Sequence, residues 1–363
     1  MKHDWEYKIL TDCIEKVKYT NKIQSSDYKK EGLYPIISQE DEYISGYCDN
    51  ESDLFKISKP IVIFGDHTRI VKYIDFDFVL GADGVKILQP IDNLSAKFFS
   101  YFLKSYPIPS LGYSRHFKVI KEISVPVPPL STQQSIVSEL DSLSKIIAEC
   151  KETLKDYDAL EQSIFYDMFG DPVKNEKGWE VKKVEDIGSC CSGGTPSRSH
   201  PEYFEGDIIW YSAGELNDLY LGESIEKITE SALNNSSAKL CKAGSLFVGM
   251  YDTAAFKMGI ATVDSCSNQA CANVTLNDYN NVIWLYFTLL FMKEEALKNR
   301  HGARQKNLNL GYIKNFNIPV PPLPLQQQFA SKIEAIEQMK VETKKALQEA
   351  ETLFQARMDY WFG

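Results

Sequence analysis

One proline-rich knuckle occurs twice in this chain, as VPVPPLSTQQ at residues 125–134 and as IPVPPLPLQQ at residues 318–327. A single run of this kind is an ordinary extended loop, because proline removes a backbone donor and disfavours a helical residue before it. Two runs, separated by more than half the chain, call for a repeat. A gapless shift of 193 lays Ile120 on Ile313, and 10 of the 24 positions from 120 to 143 are then identical. Average composition gives about one or two such matches by chance. The same shift carries Phe169-Gly170 onto Phe362-Gly363, so spacing is kept over the whole segment, which suits a helix. DWEYKILTD at 4–12 resembles GWEVKKVED at 178–186, and Tyr101-Phe102 pairs with Tyr286-Phe287. The chain reads as a tandem duplication of a unit of about 180 residues, each a variable globular part followed by a fixed segment.

The fixed segments have helical spacing. Apolar or near-apolar residues fall at Ile136, Leu140, Leu143, Ile147, Cys150, Leu154, Tyr157, Ile164 and Met168, in steps of four and three with one charged break at Glu161. Phe329, Ile333, Ile336, Leu347, Ala350, Phe354 and Trp361 continue that register in the second copy. This is a heptad seam. Ser131 followed by Gln134 has the form of a capping box, and Gly170 before Pro172 stops the first helix. About 37 residues at 1.5 Å each give a helix of about 55 Å. One heptad helix cannot bury its own seam, so the two are expected to pair with each other, antiparallel, with the globular parts at opposite ends and related by an approximate two-fold axis. Duplex DNA has matching two-folds, with half-sites recurring about every 34–36 Å. The outer faces of the helices remain open to the helices of another protein.

The variable parts predict mixed α/β domains. KPIVIFGD and RIVKYIDFDFVLGADGVKIL in the first half, and GDIIWYSAGEL, GSLFVGMYD and GIATVDS in the second, have the β-branched content of short strands. AKFFSYFLKS and NVIWLYFTLLFMKEEALK supply a helix in each.

A net charge of −10 speaks against phosphate binding until its distribution is considered. From residue 93 to 121 there are five basic residues and no acid, and the same holds from 298 to 314, each just before a knuckle. The first stretch contains Arg115, His116 and Lys118. The second contains Arg304, Gln305, Lys306 and Asn307, and Arg with guanine and Gln or Asn with adenine are the usual major-groove pairings. SGGTPSRSH offers Gly193 and Gly194, whose amides can face a phosphate, with Thr195, Ser197 and Arg198 as donors.

No catalytic constellation is present. A methyltransferase needs a glycine-rich cofactor turn and an acid-Pro-Pro-aromatic loop, and a motor needs a phosphate-binding G-x-x-x-x-G-K-[ST]; the sequence has neither. Glu180-Val181-Lys182 matches a nuclease E-x-K only in its letters, since its repeat counterpart Glu6-Tyr7-Lys8 has no upstream acid, and W-E-x-K reads instead as the first strand of each repeat. The eight cysteines form no C-x-x-C pair, so no metal site is expected and free thiols in a reducing cytoplasm are. The longest apolar run has 11 residues where a bilayer needs about 20, and no leader opens the chain.

Two variable α/β parts, each followed by a P-V-P-P-L…QQ knuckle and a heptad helix ending in Phe-Gly, together with GWEVKKVEDIG and GGTPSRSHPEYF, resemble the specificity subunit of a type I restriction-modification enzyme over essentially the whole chain. The resemblance implies target-recognition domains at 1–125 and 171–318, spacer helices at 126–170 and 319–363, and a bipartite, interrupted site in double-stranded DNA. It implies that the helices set the gap and dock two methyltransferase subunits, with Leu140, Leu143, Ile147, Leu154, Ile333, Ile336, Leu347 and Phe354 as helix-seam and partner-binding residues. Motor-nuclease subunits join through these. The assembly would methylate adenine at N6 and cleave DNA with ATP, with S-adenosylmethionine, ATP and Mg2+ on the partners, no cofactor on this chain and no membrane. In the first half YTNKIQSSDYKKEGLYPIIS stands where Gly-Gly-Thr-Pro would be. The competing readings are a scaffold with two protein-binding ends, and an enzyme in its own right.

Overall fold

The computed structural model describes residues 4–82, 84–112, 114–298 and 308–363. The chain divides into two compact units, Met1–Glu152 with Lys344–Gly363, and Thr153–Thr343. Two helices of 40 residues, Leu130–Phe169 and Leu323–Phe362, dominate the helical content. Each begins in the unit of its own repeat and ends in the other, so the division of the fold does not coincide with the division of the sequence.

In the first unit, strand Glu6–Ile9 pairs antiparallel with knuckle strand Ser124–Val127, Glu6 opposite Val127. The prolines are tolerated because a two-stranded ribbon leaves each strand an unpaired edge. One four-stranded sheet has the order Ile14–Glu15, Val85–Pro90, Ile61–Gly65, Val71–Ile74, and a second the order Gly46–Cys48, Tyr34–Ile37, Phe78–Leu80, Leu54–Phe55. Strand Ile61–Gly65 is buried throughout, and the two-residue period of a strand explains its unbroken apolar run. Val62 and Phe64 face Phe98 and Phe99 of helix Ala96–Ser105, whereas Ile61 and Ile63 join Ile37, Phe78 and Leu80 in a second core.

The second unit repeats the frame. Strand Glu180–Lys183, the first strand expected from W-E-x-K, pairs with Asn317–Val320. A five-stranded sheet (Gly188–Ser192, Cys271–Leu276, Leu246–Gly249, Met258–Ala261, Tyr220–Leu221) packs on helix Val282–Phe291, and a three-stranded one (Glu226–Ile228, Ile208–Tyr211, Cys266–Ser267) has its own small core with Ala232 and Ala238. Trp284, Leu285 and Phe287 of that helix pack on Leu246, Val248 and Val274.

The repeated glutamine has a tertiary role. Gln133 is fully buried; its Oε1 accepts from the Ser95 N–H at 2.8 Å and its Nε2 donates to the Pro128 and Asn93 carbonyls at 2.7 and 2.9 Å. Gln326 does the same with the Asn281 N–H and the Pro321 carbonyl, both at 2.8 Å. Each glutamine thus ties a knuckle carbonyl, which proline leaves without a local donor, to the residue that caps the domain helix. The capping box expected at Ser131 is corrected accordingly: the helix starts one residue earlier, at Leu130, with the Thr132 and Gln133 amides donating to the Pro129 carbonyl. The stop is as expected, with Gly170 at φ +76° donating to the Tyr166 carbonyl.

Within each unit the two long helices run antiparallel. In the first, Arg357 and Trp361 both reach Glu139 and Lys151 meets Glu351; Ile136, Leu140 and Met358 are buried, and Trp361 stacks on Trp5 with centroids 6.2 Å apart. In the second, Phe165 and Phe169 pack on Phe329 at 5.6 and 5.2 Å, beside buried Ile333 and Ile336. Leu143, Ile147, Leu154, Leu347 and Phe354 are half-buried. Glu161, the charged break in the heptad pattern, is buried and paired with Lys340.

Candidate nucleic-acid interface

The basic loop of the first unit follows helix Ala96–Ser105 and is held by two buried polar residues. His116 is 1% exposed. Its Nδ1 lies 3.0 Å from the Asp66 carbonyl oxygen and therefore carries the proton, and its Nε2 accepts from the Leu111 N–H at 3.0 Å. The Asp66 carboxylate, itself buried, accepts from the Phe117 N–H at 2.8 Å. The Arg69 guanidinium donates to the Ile108 carbonyl at 3.0 Å from a residue at φ +65°, a conformation that costs a non-glycine residue about 1 kcal/mol or more. Both ring nitrogens of His116, expected to meet phosphate or base, are thus engaged within the fold, where the side chain supports the loop. Arg115 and Lys118, on either side of it, are exposed and make no ion pair among the described residues.

The Gly-Gly-Thr-Pro loop of the second unit is built differently from a phosphate cradle. The Gly193 amide donates to the Cys271 carbonyl at 3.1 Å and the Gly194 amide to the Ser267 carbonyl at 2.9 Å. Both donors expected to face an anion are spent on the fold. Glycine is needed there for room, since a Cβ would come within 2.3 Å of the Ser267 and Asn268 carbonyl oxygens at Gly193 and of the Ser237 backbone at Gly194. Trp210 Nε1 donates to the Gly194 carbonyl at 2.9 Å, and the Thr195 hydroxyl bonds Gln269. Ser197 is exposed and bonds only the Ser199 hydroxyl among the described side chains, at 2.7 Å.

Arg198 is exposed but engaged. Its two terminal nitrogens reach Glu226 at 2.5 and 2.7 Å, and the guanidinium lies 4.1 Å from the Phe204 ring centroid. That bidentate bond holds the Glu226 carboxyl below its ordinary value. The pair neutralises the arginine locally and fixes the loop.

Arg304, Gln305, Lys306 and Asn307 lie outside the described residues. The chain enters that segment from helix Lys293–Lys298, whose Ala296 is buried, and leaves it at buried Leu308, whose amide donates to the Met250 carbonyl at 2.8 Å. Asn309 then caps helix Leu310–Lys314 through the Tyr312 amide. In both repeats a basic stretch hangs between a domain helix and a one-turn helix that leads into the knuckle.

Sequence reasoning missed Asp66, Glu226 and Gln269, which hold these loops. None has a repeat counterpart or a motif, so no signal marks them. All eight cysteines are free. Among the described residues no group of His, Cys, Asp and Glu is placed to hold a metal ion, and no helix is long and apolar enough to cross a membrane.

Comparison with known proteins extends the picture. Residues 2–156 and 176–351 match the type I restriction modification DNA specificity domain. The specificity subunit of the Escherichia coli type I restriction enzyme EcoR124I/EcoR124II is 24% identical, over 97% of this chain and 91% of that protein. The crystal structure of a type I restriction-modification S subunit from M. genitalium superposes with a TM-score of 0.68 at 15% identity, covering 98% of this chain and 95% of that one. A chain from a study of complex assembly and conformational transition in the type I system superposes at 0.56 with 16% identity, covering 99% and 97%.

Proposed function

The chain belongs to the type I restriction modification DNA specificity family, carrying the family's domain twice, and from that premise we propose how its parts divide the work. Its role in a restriction-modification complex is recognition of DNA; the chemistry of the complex lies on other subunits. Residues 1–125 and 171–318 each read one half of a bipartite, interrupted site in double-stranded DNA. The spacer helices, 126–170 and 319–363, set the gap and dock two methyltransferase subunits, through which motor-nuclease subunits join. S-adenosylmethionine, ATP and Mg2+ are held by those partners, and the assembly works in the cytoplasm.

The observation that carries this reading is the repeated frame around divergent loops. Ribbon, buried glutamine and long helix recur at equivalent places in both units, whereas the loops hung on them differ between the repeats. Arg115 and Lys118 in the first unit, and Thr195, Ser197, Arg304, Gln305, Lys306 and Asn307 in the second, are the proposed contacts. His116, Gly193 and Arg198 position the loops that bear them.

Binding by the chain together with its cognate methyltransferase subunits, on random duplexes at two salt concentrations, tests the proposal. A split motif is expected, with the half lost on Arg115→Ala different from the half lost on Arg304→Ala. Failure to enrich any sequence with partners present favours a scaffold with protein-binding ends.

A further inference from the structure

In the second unit, Lys340 Nζ and Glu161 Oε2 meet at 2.7 Å between the two long helices, and both side chains are less than a tenth exposed. The same ammonium reaches Asp158 at 2.8 Å and Glu337 at 3.0 Å, while Glu161 Oε1 is buried with no hydrogen-bond partner. Burial pushes the Glu161 carboxyl up to about 7. Burial also pulls Lys340 down, but its three carboxylate partners outweigh that and leave it above its ordinary value. The shift of 193 that superposes the repeats puts Phe354 in the place of Glu161 and Ile147 in the place of Lys340. Phe354 packs on the core of the first unit and Ile147 is half-buried. Of two positions made equivalent by the duplication, one therefore holds an ion cluster and the other two apolar side chains.

A buried ion pair contributes little net stability compared with well-packed apolar residues of similar volume, so the cluster is poorly explained as a stabilising device. Selectivity explains it better. Because the two helices are copies, the heptad seam alone fits like with like as well as first with second. When a second copy of the first helix is laid in place of the second helix, Glu161 of each faces Ile147 of the other. When two second helices are paired, Lys340 of each faces Phe354 of the other. The first arrangement buries two Glu161 carboxylates opposite hydrocarbon without Lys340, and the second sets each Lys340 opposite hydrocarbon with Glu337 of its own helix but without Glu161. Only a first helix against a second satisfies both positions.

We infer that the Glu161–Lys340 pair makes the seam selective, so that each long helix accepts the helix of the other repeat and rejects a copy of itself. A single buried polar residue acts in the same way in coiled coils, fixing partner and register at a cost in stability. The consequence for this chain is that two differently specific recognition units stay paired with each other, and like-with-like assemblies are discouraged.

The full chain provides the test. Glu161→Phe with Lys340→Ile writes the residues of the first unit into both positions. The expected result is a folded protein with a thermal transition no lower than the parent, and capture of a differently tagged second copy raised by at least about tenfold, with a matching rise in mass by light scattering. A folded double variant that captures no more second copy than the parent overturns the inference. The charge-swapped chain, Glu161→Lys with Lys340→Glu, guards against a variant that does not fold. It is expected to keep the parent's low capture and to recover most of the thermal shift caused by Lys340→Glu alone. A swapped chain no better than that single variant overturns the inference as well.

Discussion

Replacing Gln133 by Met keeps most of the side-chain volume, so the change isolates the hydrogen bonds from the packing. Three groups lose their partner: the buried Pro128 carbonyl at 2.7 Å, the half-buried Ser95 amide at 2.8 Å and the carbonyl of the exposed residue Asn93 at 2.9 Å. An orphaned buried donor or acceptor costs about 1–3 kcal/mol, a half-buried one less and one that water reaches little, so the total is roughly 2–4 kcal/mol. For a unit of this size, about 2–4 °C of melting temperature goes with each kcal/mol, which places the transition of the first unit roughly 4–16 °C lower. Gln326→Met is expected to act on the second unit with a smaller effect, because one of its three partners, Asn280 Oδ1, lies at 3.3 Å. Differential scanning calorimetry of the parent, the two variants and Gln134→Met separates the cases, since Gln134 is the exposed neighbour. A shift below about 2 °C for Gln133→Met, or one matched by Gln134→Met, would refute the tertiary role assigned to the repeated glutamine.

Gly194→Ala places a methyl group within 2.3 Å of the Ser237 backbone; melting of the second unit is expected to fall while that of the first stays, as followed by calorimetry. Arg115→Ala and Lys118→Ala are each expected to reduce the log–log salt slope of DNA binding by about one. Arg198→Ala is expected to leave that slope unchanged while lowering stability by about 1 kcal/mol, because its charge is committed to Glu226. The hydrogen bond from Arg357, with help from Trp361, holds Glu139 below its ordinary value. A carboxyl whose folded value is depressed contributes stability above its unfolded value and loses it as pH falls. Glu139→Gln is therefore expected to cost about 1 kcal/mol or less near neutrality and nothing in acid, as measured by urea unfolding at both pH values.

The duplication is fully legible in the letters, because a gapless shift of 193 preserves knuckle, heptad seam and Phe-Gly end together. That W-E-x-K is a strand follows from its recurrence before both domains, whereas its pairing with the knuckle is seen only in the fold. Two features of the helices are legible only in part. Glu161 looks like a defect in the heptad because its partner Lys340 stands 179 residues away, and a one-dimensional pattern cannot pair charges across that separation. Gln133 and Gln326 repeat in register, yet their targets are mostly backbone groups, which no residue letter marks, so a local cap is the natural reading of the letters alone.

The contact loops are the least legible part. Gly193 and Gly194 suggest exposed amides, but a glycine pair marks close backbone approach as readily as anion binding, and the carbonyls that Gly193 approaches belong to residues more than 70 positions on. His116 stands among basic residues in sequence, while Asp66, which anchors it, comes from a strand end 50 residues earlier in the chain. The charge partner, which separates the proposed contact Arg115 from Arg198 with its bond to Glu226, is a tertiary quantity.

Long-read mapping of adenine methylation in a host that carries the chain with its cognate methyltransferase subunits tests the division of labour most directly. The account expects one interrupted motif with two fixed halves and a constant gap, of which only the second half changes when residues 171–318 are exchanged for those of a relative. A single uninterrupted motif, or a change in both halves on that exchange, would contradict it.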